Sequence, residues 1–140
     1  MKRILLIIAI LIIILTLLLI IRDQQQTKQE GIVISRNSEE KIISYNEINK
    51  FAFHDFRAAR GDEFTGVLLT DLLKQADFSY AQYIILHSAD GASLRLNKDL
   101  IETSYLIWQP DSTEQALRLI IPADEYGQRW MKFVQRIEVH

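Results

Sequence analysis

Residues 4–21 are apolar except for Thr16. As a helix, about 18 such residues reach roughly 27 Å, close to the roughly 30 Å hydrocarbon core of a bilayer. So hydrophobic a run does not belong inside a small soluble domain, and it divides the chain. The expected organisation is a single transmembrane anchor or signal segment over residues 1–22, a linker over 23–30 and a folded domain over 31–140. A cleaved signal ends in small residues. Here residues 17–21 are bulky, Arg22-Asp23-Gln24-Gln25-Gln26 follows, and no cysteine is present to carry a lipid. An uncleaved anchor is therefore expected. Lys2 and Arg3 precede the run, which by the positive-inside rule keeps the N-terminus in the cytoplasm, although Arg22 pulls the other way. The domain is then expected on the periplasmic or extracellular side of an inner or cytoplasmic membrane.

That domain has the size of one small folding unit, with a modest core. The absence of cysteine excludes disulfides, thiolate metal ligands, a cysteine nucleophile and iron–sulfur clusters. Sixteen basic residues stand against 18 acidic ones, a net charge of −2 that argues against general nucleic-acid binding.

Short elements follow the glutamine-rich linker. Ile32-Val33-Ile34 reads as a first strand, residues 37–40 as a turn and residues 41–44 as a second strand. Ser44 and Glu47 have the spacing of a capping box, which predicts a short helix from Tyr45 to about Lys50. Residues 51–56 carry aromatics at strand-like spacing. Arg57 to Glu63 reads as a charged loop and Thr65-Gly66 as another turn. A helix is expected to open at Val67, with Leu69, Leu72, Leu73 and Ala76 on one face. Asp90-Gly91 between two alternating runs predicts a hairpin. Residues 97–102 read as a turn or short helix, and residues 105–109 as a strand stopped by Pro110.

The closing stretch is the most informative part of the domain. Residues 116–121 are apolar with one charge, Arg118, which reads as a mostly buried strand. Residues 122–128 form a loop, because Pro122 lacks an amide donor and Gly127 permits positive φ. Residues 130–139 are expected to return through a short turn of helix to a last strand over 136–139. Strands outnumber helices and connections are short, so the fold class is α+β around a mixed sheet.

Three segments, in order, resemble one family. Phe64-Thr65-Gly66-Val67-Leu68-Leu69-Thr70-Asp71-Leu72-Leu73 is similar to the Y-T-G-V-P-L-x-D-L-L segment of the sulfite-oxidase-type molybdopterin-binding fold. Ser88-Ala89-Asp90-Gly91-Ala92-Ser93 resembles its hairpin. Residues 117–139 resemble its closing pattern, L-R-L-x-x-P-x-D-x-x-G-x-R-W-V-K-x-V-x-R-I-E-V. The resemblance covers about residues 31–139 and implies a compact, mixed-sheet fold of that kind. Enzymes of the family hold molybdenum through a cysteine in an N-terminal part that this chain lacks, so no metal and no molybdenum catalysis is expected. Small extracytoplasmic members look like pterin-binding regulators of a membrane-bound cyclic-di-GMP enzyme. The resemblance therefore implies a pterin (or molybdopterin) ligand, a sensor role and such a receptor as partner. The alternative is a small molybdopterin-dependent oxidoreductase subunit.

A pterin needs an aromatic face, acceptors for its guanidine-like edge and a donor for its carbonyl. Trp130 and Tyr126 offer faces, Arg129 a donor, and Asp124 or Glu125 acceptors. The family match places Gly127-Gln128-Arg129-Trp130-x-Lys132 where the cofactor is contacted, with Lys132 towards a phosphate. Each residue also has a plainer reading: Trp130 as a core residue capping the sheet, Arg129 as a surface ion-pair partner, Tyr126 as loop packing, Asp124 and Glu125 as a solvated turn. Trp108, on a strand, reads as core or as lining of the site. His54, ahead of Asp55 and Arg57, either faces the pocket or marks where the loop begins. His54, His87 and His140 are too far apart in sequence to form a metal-binding pair. No G-x-S-x-G elbow accompanies any serine, which removes the usual sign of a hydrolase.

Overall fold

The computed structural model describes residues 8–18 and 30–140. The rest of the expected anchor, and the linker up to residue 29, lie outside the described residues. Residues 8–18 are helical (α1) and every one of them is exposed. The Thr16 hydroxyl donates to the carbonyls of Ile12 and Ile13 at 3.0 and 2.9 Å, so the one polar side chain of this helix turns back onto its own backbone. Among the described residues no helix is long and apolar enough to cross a membrane.

Nine strands make the body of the domain: β1 (Gly31–Arg36), β2 (Glu39–Ser44), β3 (His54–Arg57), β4 (Glu63–Leu68), β5 (Tyr83–Ser88), β6 (Ser93–Asn97), β7 (Tyr105–Trp108), β8 (Leu117–Ile120) and β9 (Met131–Val139). Short helices α2 (Tyr45–Ile48), α3 (Leu69–Gln75) and α4 (Lys98–Thr103) punctuate them. The expected α+β class with a mixed sheet is what the chain adopts. The order is β2-β1-β9-β8-β7-β4-β3, with β5 joining β9 and β6.

The last strand, β9, organises the sheet. Along one edge it pairs antiparallel with β5, from Ile84↔Val139 to Ser88↔Val134. Along the other edge β8 takes its first half, through Leu119↔Met131 and Leu117↔Val134. β1 takes the second half in parallel, with Val33↔Arg136 and Ser35↔Glu138. Ile32, Ile34, Ile84, Leu86, Ile137 and Leu119 are wholly buried between the sheet and its helices. Leu69, Leu72, Leu73 and Ala76 of the α3 segment face this core, as their spacing predicts. The capping box forms: Ser44 Oγ accepts from the Glu47 amide, and the Glu47 carboxylate accepts from the Ser44 amide.

Two expectations need correction. Thr65-Gly66 is not a turn but lies inside β4. A Cβ at Gly66 would stand 2.7 Å from the Leu106 carbonyl oxygen and 2.8 Å from Ile107 Cγ2. Gly66 is thus needed where β4 passes from its partner β3 to its partner β7, for close approach rather than for a bend. No helical turn precedes the last strand either, since β9 begins at Met131. The irregularity there is a β-bulge: Phe133 has φ 54° and the β8 and β5 registers shift beside it. Two boundaries also differ. Strand structure in the aromatic stretch starts only at His54, and Val67 and Leu68 end β4 rather than opening α3.

Candidate functional site

The β8–β9 loop, residues 121–130, is built from successive turns. The Asp124 amide donates to Ile121 O (3.0 Å), the Gly127 amide to Asp124 O (3.4 Å) and the Trp130 amide to Gly127 O (3.1 Å). Gly127 has φ +64°, the left-handed conformation that its lack of a Cβ allows. Asp124 is only 3% exposed. Its carboxylate accepts from Arg129, with Nε 3.1 Å from Oδ1 and 3.0 Å from Oδ2, and Nη2 also on Oδ1. This forked pair closes the loop on itself. The Asp124 hydrogen bond holds the Arg129 guanidinium above its already high ordinary pKa, so it is always charged.

Trp130 stands where this loop meets the β3–β4 hairpin. Its indole N–H donates to the Ile121 carbonyl at 2.9 Å. The ring takes the edge of Phe64 at 5.4 Å, and a Cβ on Gly127 would lie 2.9 Å from its Cδ2. Two guanidiniums lie over it, Arg60 at 4.8 Å and Arg118 at 5.6 Å from the ring centre. The hairpin is tied to the loop by the Ala59 amide, which donates to Pro122 O at 2.7 Å. Behind Phe64, Phe56 stacks on Tyr105 at 3.9 Å. Ile107 and Ile120 are buried here outside the main core, on the faces of β7 and β8 opposite Leu106 and Leu119. Trp130 also packs against the main core. Its plainer reading, a residue capping the sheet, is met by these contacts.

Arg60 pairs with Asp62, and Arg129 with Asp124. Among the described residues Arg118 has no ion pair, and its Nε is buried without a hydrogen-bond partner. Three guanidiniums thus surround or adjoin one indole, and two of them are each paired with a carboxylate.

The other predicted residues are more dispersed. Tyr126 is 81% exposed on the same loop, and Glu125 and Lys132 are exposed too. His54 begins β3, with Nε2 4.0 Å from Asp71 Oδ2. Among the described residues no contact found joins His54 to the loop. Trp108 meets Tyr45 edge to face at 5.5 Å and packs on the main core. His87 lies in a polar row on the outer sheet face. Its Nδ1 is 2.9 Å from Ser93 Oγ, and its Nε2 is 3.2 Å from Glu138 Oε1 but poorly aligned for a hydrogen bond. His140 stacks on Tyr83 beside the same carboxylate. Among the described residues no three histidines or carboxylates converge to hold a metal. An open concavity of about 550 Å³ runs beside the β3–β4 hairpin, lined by Asp55, Phe56, Arg57, Glu63, Phe64 and Thr65. Phe64 joins it to the Trp130 cluster.

Arg60, Phe56 and Phe64 were not singled out by the sequence. Arg60 sits in a loop crowded with charges, where nothing marks one arginine over another. Arg118 gave a signal, as the lone charge in an apolar strand. Comparison with protein-family models and with curated proteins finds no match to this chain.

Proposed function

We propose that the chain is a membrane-anchored, extracytoplasmic pterin-binding module that signals to a membrane receptor without molybdenum catalysis. The observation that carries this reading is the Trp130 cluster: an indole fixed by its own N–H, overlaid by guanidiniums and held on a loop locked by a buried ion pair. A guanidinium stacked on an indole presents a second flat, cationic face, which suits an electron-rich heterocycle. The terminal nitrogens of Arg118 are donors for a polar group of the ligand. Asp124 is committed to Arg129, so the ligand's guanidine-like edge would turn to Glu125 or to loop carbonyls. Tyr126 supplies an exposed aromatic face on the same loop. When bound, a pterin would supply redox-active ring chemistry, while these residues bind and orient it.

The sulfite-oxidase-like identity of the fold, the anchor at residues 1–22 and the cyclic-di-GMP receptor as partner belong to the same proposal. The three-segment resemblance and the apolar run at residues 4–21 support them. The test is extraction of the full chain purified from membranes, followed by mass spectrometry and metal analysis. Free pterin without metal is expected. Stoichiometric molybdenum would replace this reading with the oxidoreductase alternative, and an empty protein that ignores added pterin would end it.

A further inference from the structure

Arg118 is out of place where it stands. β8 reads Leu-Arg-Leu-Ile, and the other three side chains are buried. An arginine in an apolar strand loses hydration, and that loss is normally offset by a carboxylate or several acceptors. Arg60 and Arg129, its companions around Trp130, each have a carboxylate. Among the described residues Arg118 has only the indole face, and its buried Nε–H meets no acceptor. A half-buried guanidinium without a carboxylate is poorly compensated in an apolar strand, which favours an anion that arrives from outside. The positive charge of Arg118 itself gives the sign of that acceptor. The residue is half-buried and of its guanidinium nitrogens only Nε is sealed without a partner, which leaves the terminal nitrogens to meet the ligand.

We infer that Arg118 is the anchor for an acidic group on the ligand, so that the site takes an anionic planar heterocycle in preference to a neutral one. This rests on the pterin-site reading for the heterocycle, but the anion preference stands on Arg118 alone. The acid accepts from the terminal nitrogens of Arg118, and the ring lies against the guanidinium–indole layer formed by Arg60 and Trp130. Arg129 is excluded from this role because Nε and Nη2 already serve Asp124. Lys132 is exposed, and a solvated lysine contributes at most a screened, long-range charge.

The test is titration of the full chain with three probes, followed by quenching of tryptophan fluorescence and by calorimetry: pterin-6-carboxylate, unsubstituted pterin, and 2-naphthoate as a planar acid without a pterin edge. Pterin-6-carboxylate is expected to bind at least about tenfold tighter than pterin, the scale of one charge-assisted hydrogen-bonded contact. Arg118→Gln should erase that difference by weakening only the acid. Arg118→Lys, which keeps the charge but not the fork, should retain part of it. Thermal melts of both variants establish that they fold, and Arg118→Lys carries the test if the glutamine variant does not. If pterin-6-carboxylate binds wild type and Arg118→Gln equally, the Arg118 inference fails while the pterin reading stands. If 2-naphthoate binds through Arg118 but neither pterin binds, the pterin reading fails and the anion site stands. If none of the three binds wild type, both fail.

Discussion

Replacing Arg129 by glutamine should destabilise the domain more than replacing its partner Asp124 by asparagine, although both changes break the same ion pair. The difference lies in which group is stranded. Asp124 is 3% exposed, while the Arg129 side chain is 42% exposed. Arg129→Gln leaves a carboxylate buried without its counter-charge, a situation that costs about 3–5 kcal/mol for fully buried pairs. Because the arginine side of the pair is already wet, the lower end applies, about 3 kcal/mol. Asp124→Asn removes the buried charge itself and keeps one acceptor oxygen for Arg129, which water then solvates. The loss is the net value of a hydrogen bond to a charged group, at its lower end of about 1.5 kcal/mol because the arginine is partly exposed. At about 4 °C per kcal/mol for a domain of this size, thermal unfolding should fall by about 12 °C for Arg129→Gln and about 6 °C for Asp124→Asn. The double variant, with no charge to strand, should resemble Asp124→Asn rather than the sum of the two. Melts followed by near-ultraviolet circular dichroism report all three. An Asp124→Asn loss equal to or larger than that of Arg129→Gln, or strict additivity, would refute the claim that a buried carboxylate locks the loop.

Gly66→Ala should cost more than about 2 kcal/mol, because the new Cβ meets the Leu106 carbonyl and Ile107 rather than a flexible side-chain end; denaturant midpoints measure it. Leu69→Ala, at a fully buried position, should cost about 2–5 kcal/mol, with the denaturant slope unchanged if the fold is kept. Glu47 titrates below its ordinary value because the Ser44 amide, and then the Ser44 hydroxyl, hydrogen-bond its carboxylate. Its folded pKa is the lower one, so its contribution to stability is full above the ordinary glutamate range and is lost as pH falls through the depressed value. Ser44→Ala should move that titration upward, read by carbon-13 NMR of the carboxyl, and should weaken the α2 start by about 1 kcal/mol.

What the sequence discloses is largely what neighbouring residues decide. The Ser44–Glu47 box, the Asp90-Gly91 turn and the apolar face of Leu69, Leu72, Leu73 and Ala76 each need fewer than ten residues to define them, and each forms as expected. Gly66 misleads for the opposite reason. Thr-Gly is local turn chemistry, yet what requires the glycine is β7, some forty residues further on. The β9 bulge is hidden in the same way. Nothing in Lys132-Phe133-Val134 announces a positive φ at a phenylalanine, which L residues other than glycine seldom adopt. It is imposed where Val134 must serve β5 on one edge and β8 on the other, and the expected helical turn was a misreading of that break in strand pattern.

The candidate site divides along the same line. The loop at residues 121–130 is legible because proline, glycine and an acidic pair punctuate it. The role of Asp124 within it is not, since an aspartate among Ala123, Glu125 and Tyr126 reads as solvated until Arg129 folds back onto it. Trp130 meets its plainer reading, because its N–H and its contacts with the core fix the ring that Arg60 and Arg118 then cover. The hairpin that brings Arg60 and Phe64 to that ring lies more than fifty residues upstream, so no periodicity links them. Arg118 differs from both cases. Its oddity, one charge in an apolar strand, is visible in the sequence, but its meaning depends on a count that only the fold permits. Two of the three guanidiniums at the cluster find carboxylates and the third does not. An arginine kept for stability alone would be paired or replaced by an apolar residue at little cost. An arginine that is half-buried and, among the described residues, unpaired within β8 is better explained by something that arrives with a negative charge.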